Sequence, residues 1–175
     1  MRLSPFRRRT GSAGYRVEYE HPAQIIGSAF LRAVAADEPG AVWERLSRET
    51  RGLLEGLYAA RTAVPLRDAA ALARSADGRL RDVVAPLRAS VLAALGGSEH
   101  VNAFGVSAAR VVDRQSAYVL LLPDFGEGRI VSEADWRPSH LLALVHESRE
   151  WLIDLARTAE LSAEAQLPDP LGTVR

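Results

Sequence analysis

The stretch that decides the fold is HLLALVHESREWLIDLAR, residues 140–157. Its two apolar halves flank a charged four-residue link, Glu147 to Glu150, and this arrangement is typical of two antiparallel strands joined by a turn. A turn at this link predicts the cross-strand pairs His146–Trp151, Leu144–Ile153, Leu142–Leu155 and His140–Arg157 on one face. Asp154 then lies on the opposite face, among leucine, valine and alanine side chains.

The first half of the chain has the periodicity of helices. Apolar residues recur every three or four positions over residues 21–36 and 79–95, which predicts two amphipathic helices. Between them, Asp37 is expected to cap a helix that has Pro39 in its first turn, and Ser47 is expected to cap another.

After residue 97 the pattern changes to that of strands. Residues 101–112 (VNAFGVSAARVV) alternate, residues 117–122 (AYVLLL) are apolar throughout, and residues 129–136 (RIVSEADW) form a further candidate strand. Because AYVLLL would be apolar on both faces, it needs cover on both sides. We expect helices on one side and, on the other, a second copy of the chain or the chain's own helical segment; a homodimer that packs sheet against sheet is the favoured arrangement.

Helices followed by antiparallel strands predict an α+β fold, with N-terminal helices packed on one face of a curved antiparallel sheet. We expect a single domain over residues 21–158. A basic N-terminal tail, 1–20, precedes it, and a C-terminal tail, 159–175, follows it. The C-terminal tail has two prolines and no apolar period, so it is expected to run over the surface.

The composition excludes several classes of function. The 175 residues carry a formal net charge of zero, so no overall field would attract nucleic acid. The chain has no cysteine and no lysine, which removes thiolate metal sites, thiol nucleophiles and Schiff-base lysines. Its four histidines are not at metal-binding spacings, and we expect neither a metal nor a cofactor.

The hydropathy pattern argues against a membrane protein. No apolar run reaches the roughly 20 residues of a membrane span, and no apolar segment follows the arginines near the N-terminus. We therefore expect no membrane span and a cytoplasmic location. Basic residues that are all arginine, together with abundant alanine and leucine, indicate the coding bias of a GC-rich bacterial genome.

Two stretches carry a resemblance to a known superfamily. AFLRAVAADEPGAVWERLSRE, residues 29–49, and REWLIDLAR, residues 149–157, resemble the opening helices and the closing strand of the nuclear transport factor 2-like superfamily, a cystatin-like α+β cone. The resemblance implies a strongly curved sheet wrapped around helices, with a conical cavity between them. Members of the superfamily include ketosteroid isomerases, dehydratases, polyketide cyclases and many non-catalytic domains. The helical segment 60–95 departs from the family's usual short third helix.

Asp154 is the candidate catalytic residue. An apolar environment disfavours the charged form of a carboxylate, which can then act as a base or as a protonated donor. An aspartate on the solvent side of the sheet would show the same sequence pattern. Ketosteroid isomerase chemistry also needs a tyrosine as a hydrogen-bond donor, and the helix over 22–36 contains none.

Four residues are candidate ligand-binding positions in such a cavity: Tyr118, Trp136, His100 and Trp151. The alternative interpretation is structural. A histidine beside a tryptophan at the end of a strand is usually an edge residue with ordinary hydrogen bonds, and tryptophans belong most often to the core.

Three functions remain open. The first is a non-catalytic module that binds an apolar small molecule or a protein partner. The second is a cofactor-free isomerase, dehydratase or cyclase that acts on a hydrophobic substrate, and the third is an assembly protein that docks through the helix over 79–95 or through the C-terminal tail. An enzyme needs a carboxylate and a second proton-transfer group at one cavity, whereas an assembly protein needs a filled cavity and an apolar surface elsewhere.

Overall fold

The computed structural model describes residues 21–74, 79–123 and 138–172. In these residues the chain has the predicted α+β fold. The helices are α1 (Pro22–Ala35), α2 (Pro39–Glu44), α3 (Arg48–Thr62), α4 (Leu66–Arg74), α5 (Leu80–Leu95), α6 (Ser98–Val101) and α7 (Leu155–Ala165). The strands are β1 (Gly105–Val106), β2 (Arg110–Val111), β3 (Ser116–Leu122), β4 (His140–Glu147) and β5 (Glu150–Ile153). The predicted tail 1–20 and the predicted strand over 129–136, including Trp136, lie outside the described residues.

The β4–β5 hairpin has the predicted register as far as Ile153. His146 lies opposite Trp151 and Leu144 lies opposite Ile153. Ser148 and Arg149 form the turn with φ angles of 49° and 73°, as a two-residue hairpin turn requires. β3 pairs antiparallel with β4, and both β1 and β2 pair with β3, so the described sheet is a curled antiparallel one.

Beyond Ile153 the predicted hairpin is wrong. The pairs Leu142–Leu155 and His140–Arg157 do not form, because Asp154 ends the strand and begins α7. The Asp154 carboxylate accepts a hydrogen bond from Arg157 N–H at 2.8 Å, which satisfies a backbone donor that the first helical turn leaves free.

The segment predicted as a C-terminal surface tail is also folded. α7 continues to Ala165, and Leu161 and Leu171 beyond the predicted domain end are buried. Ser90 of α5 donates a hydrogen bond to the carbonyl of Pro170 at 3.1 Å, which ties this segment to the helical layer. Its two prolines therefore shape a packed turn instead of a free end.

Both faces of the sheet are covered by the chain itself. One face packs against α1, which also contacts α5, and the other packs against α7. The first core contains Phe30, Leu87, Ala117, Val119, Leu121, Leu142 and Leu144, and the second contains Leu141, Ala143 and Leu161 with Tyr118, Leu120 and Leu167 against them. α7 therefore packs on the face of the sheet for which the sequence favours a second copy of the chain.

The first core, in which α1 packs against the sheet, holds large apolar side chains. Phe30, Leu87, Val119 and Leu142 are fully buried there. These side chains belong to the core on this side of the sheet, and the conical cavity that the family resemblance implies stays a prediction.

The predicted strand over 101–112 is largely wrong. Val101 ends the one-turn helix α6, and pairing with β3 is confined to 105–106 and 110–111. Between these two short strands the Ser107 hydroxyl oxygen accepts a hydrogen bond from Leu120 N–H at 2.9 Å. A side chain therefore takes the place of a backbone acceptor, and the edge strand is interrupted.

Of the two predicted caps, one is confirmed and one is wrong. Ser47 caps α3, since its Oγ accepts from Thr50 N–H at 3.1 Å. Asp37 does not cap α2: it has a left-handed φ of 56°, and its carboxylate pairs with Arg81 and, at 3.2 Å, with Arg88. This ion-pair cluster joins the end of α1 to α5.

His140 makes the stability of this fold dependent on pH. It is 8% exposed, and burial lowers the pKa of its imidazole below the ordinary value of 6.5, with the Asp169 carboxylate offsetting part of the shift. The unfolded chain therefore takes up the proton first as pH falls, so the free energy of unfolding should decrease from about pH 7 to about pH 5.

Chemical denaturation at several pH values measures this effect. The His140→Gln variant removes the titrating group and should show a shallower dependence of unfolding free energy on pH than the wild type. An unchanged slope in the variant would show that the acid sensitivity has another source.

Candidate ligand-binding groove

Trp151 is placed at an open groove by the register of the hairpin. It is half-buried at the start of β5 and packs against the main core. The His146 ring lies beside it, with ring centroids 5.1 Å apart and planes tilted by 48°. On another side the His21 ring meets it edge-on, at 5.2 Å and 61°. The indole therefore contacts two imidazoles.

The N-terminus of α1 holds His21 in place. His21 Nδ1 accepts a hydrogen bond from Ala23 N–H at 3.2 Å, so it caps the helix, and Pro22 occupies the first helical position. This bond requires a deprotonated Nδ1 and puts the proton of the neutral ring on Nε2. One turn further on, Ile25 lies on the wall of the groove with 48% of its surface exposed.

The link between α2 and α3 forms the opposite wall. Ile153 N–H donates to the carbonyl of Arg45 at 2.7 Å, and Ser47 N–H donates to the carbonyl of Ile153 at 2.8 Å. Leu46 thereby makes a parallel bridge to β5. This bridge fixes Arg45 beside the hairpin.

The resulting groove has a volume of about 500 Å³. Its lining comes from α1, from the end of α2 and from the hairpin: Pro22, Ile25, Ile26, Glu44, Arg45, His146, Arg149, Glu150, Trp151 and Leu152. The apolar side chains surround the indole, and two carboxylates and two guanidinium groups accompany them. Its volume lies within the range of small-molecule sites, about 300–1,000 Å³.

The predicted ligand-binding residues do not converge. Of those that the structure describes, Trp151 lines the groove. Tyr118 faces α7 on the other side of the sheet, and His100 is an exposed residue of α6 that lies against Gly96. Ligand binding by Trp151 stays a prediction, and the residues that lie beside it in the groove were not predicted.

Asp154 lies in a buried hydrogen-bonded junction. It is 4% exposed, and its Oδ2 accepts a hydrogen bond from the fully buried Ser47 hydroxyl at 2.6 Å. Thr50 Oγ1 lies 2.9 Å from Ser47 Oγ and accepts from Leu155 N–H at 3.0 Å. The N-termini of α3 and α7 thus share their capping side chains. Asp154 is not one of the described residues that line the Trp151 groove.

The sequence contained a weak signal for the residues that were missed. Ile25 lies next to the apolar stripe of α1 without belonging to it, and an exposed isoleucine at such a position can mark a binding surface. Arg45 had no such signal, because its place in the groove depends on the bridge from Leu46 to Ile153.

Arg45 is incompletely hydrogen-bonded in the groove wall. Its Nη1 donates to the carbonyl of Ala41. Its Nε is buried and has no acceptor among the described residues. A buried donor without a partner costs about 1–3 kcal/mol, and more in a charged group.

The described part of the chain contains no cluster of three histidine, cysteine, aspartate or glutamate residues able to hold a metal ion. The helices described here are all too short or too polar to cross a membrane.

The comparisons with known proteins give no indication of function. No family model, no curated protein and no solved structure matched the chain.

The Asp154 junction can be tested by substitution. Asp154→Ala removes the acceptor of both the Ser47 hydroxyl and Arg157 N–H, so it should lower the unfolding free energy by about 2–4 kcal/mol. Asp68→Ala is the matched control, because Asp68 lies in the first turn of α4 and makes an exposed ion pair with Arg67. It should cost less than about 1 kcal/mol.

Chemical denaturation of the two variants and the wild type gives these free energies. A cost for Asp154→Ala as small as that of the control would mean that the junction does not hold the two helices together.

Proposed function

We propose that this chain is a non-catalytic binding module that takes an apolar or aryl small molecule in the Trp151 groove. The observation that carries the proposal is a half-buried indole, flanked by two imidazoles, in an open groove of about 500 Å³. Indole and imidazole rings stack with aryl groups, and burying an aromatic surface contributes to affinity beyond its area alone.

A small molecule fits the described surface better than a large protein interface. The exposed large apolar side chains are spread over separate parts of the described surface: Ile25, Leu53, Leu66, Val111 and Val112. Stable protein interfaces bury a contiguous patch of about 800 Å² on each partner. The groove instead concentrates its apolar contacts around one indole.

The alternatives from the sequence have less support. The catalytic alternative depended on Asp154, whose carboxylate is engaged by Ser47 and by Arg157 N–H. The assembly alternative depended on α5 and the C-terminal segment, and α5 turns its apolar stripe into the core while Pro170 is bonded to it.

We also propose the nuclear transport factor 2-like superfamily as the relationship of this chain. N-terminal helices on one face of a curled antiparallel sheet support it. The homodimer through the sheet stays a proposal with weaker support than the sequence suggested, since α7 covers the face of β4 that would have needed a partner.

Binding in the groove can be tested with a neutral aryl probe, β-naphthylmethanol, titrated into the full chain. The Ile25→Asp variant places a charge on the groove wall, where it should weaken binding about tenfold or more by removing apolar contact. Its effect on folding should be small, because Ile25 is exposed and an acidic residue suits the first turns of a helix.

Leu66→Asp is the matched control: Leu66 is 58% exposed, lies at the start of α4 and is not among the groove residues. It should leave the dissociation constant unchanged. Calorimetric titration gives the affinities, and NMR shifts of the Trp151 indole N–H locate the probe. Binding that is equally strong in both variants, or that leaves the Trp151 signal unmoved, would contradict the proposal.

A further inference from the structure

Arg45 differs from two other partly buried arginines, Arg51 and Arg88. Arg51 donates to the carbonyls of Trp43 and Glu44 and lies over the Trp43 ring. Arg88 bonds to the Asp37 carboxylate and to the carbonyl of Val34. Each of these guanidinium groups has two or more partners within the fold.

The guanidinium of Arg45 has one hydrogen-bond partner among the described residues. Its Nη1 is bonded to the carbonyl of Ala41, its Nε has no acceptor, and it makes no ion pair with any carboxylate in the described part of the chain. A guanidinium carries five N–H donors in a planar fork. Most of these donors in Arg45 therefore have no partner among the described residues.

Arg45 lies in the wall of the same groove as Trp151 and Ile25. A ligand whose ring rests on the indole would thus lie near a guanidinium that has no ion pair among the described residues. We propose that the groove binds a monoanionic aryl or alkyl carboxylate, with the apolar body against Trp151 and Ile25 and the carboxylate on the guanidinium of Arg45. This inference rests on the proposed function and adds the chemical class of its ligand.

The choice of a carboxylate follows from the geometry and charge of the groove. The planar fork of a guanidinium matches the two oxygens of a carboxylate, and such charge-assisted bonds are stronger than neutral ones. Glu44 and Glu150 also line the groove, and their negative charges disfavour a ligand with several negative charges. A ligand with a single carboxylate on an apolar body can bond to the guanidinium of Arg45 and carries only one negative charge past these glutamates.

The test compares two probes that share one ring system, β-naphthoate and the neutral β-naphthylmethanol, by calorimetric titration into the full chain. The wild type should bind the carboxylate about tenfold more tightly than the alcohol, which is the effect of one charge-assisted hydrogen-bonded contact. In Arg45→Gln this preference should disappear. Because the ratio of the two affinities is the readout within each variant, a general change of groove shape cancels.

Two further variants sharpen the test. Arg149→Gln removes the exposed guanidinium that also lines the groove and should retain the preference, because an exposed charge contributes little. Arg45→Lys keeps the charge without the planar fork and should retain part of the preference.

The outcomes separate the two proposals. Equal affinities for both probes in the wild type, or a carboxylate preference that survives in Arg45→Gln, would overturn this inference and leave the apolar groove standing. Binding of neither probe would overturn the proposed function and this inference with it.

Discussion

The hydrogen bond between the Ser47 hydroxyl and the Asp154 carboxylate is the contact on which the rest of the structure depends. It joins residues 107 positions apart in the chain, at the point where α3 and α7 both begin. Each of these side chains also accepts a backbone N–H of its own helix. One polar contact therefore satisfies donors at two helix ends and links the helical first half of the chain to the sheet.

The junction determines what covers the sheet. A continued β5 would have carried its side chains along the edge of β4, leaving the face of Leu141 and Ala143 exposed. Because Asp154 turns the chain into α7, Leu161 packs on that face instead. Thr158 completes the turn: its hydroxyl accepts from Ala143 N–H at 3.0 Å and donates to the carbonyl of Asp154 at 2.6 Å. The backbone of β4 beyond the end of β5 is therefore satisfied by a buried helix side chain.

The position of the groove follows from the same arrangement. The groove lies at the hairpin end of the sheet, where α1 and the α2–α3 link meet β5. The bridge from Leu46 to Ile153 that adjoins Ser47 also places Arg45. The junction and the groove thus share one segment, and the groove walls are set by backbone hydrogen bonds, which makes a preformed site.

Local patterns in the sequence were sufficient for several parts of this structure. The hairpin register near its turn depends on side-chain alternation and a short charged link, and the Ser47 cap depends on residues three positions apart; both are local, and both were predicted. The sequence predicts Asp154 as a strand residue, whereas it caps α7. A single polar residue within an apolar run is compatible with either position, so the local pattern does not distinguish them.

The class of the fold, the turn at Ser148 and Arg149, and the place of Trp151 beside His146 were therefore determined by the sequence alone, through contacts between near neighbours. The end of β5, the packing of the C-terminal segment and the assembly of Trp151, Ile25 and Arg45 into one groove were decided by the tertiary structure. These features join residues far apart in the chain, and no local periodicity records which distant groups will satisfy one another's hydrogen bonds.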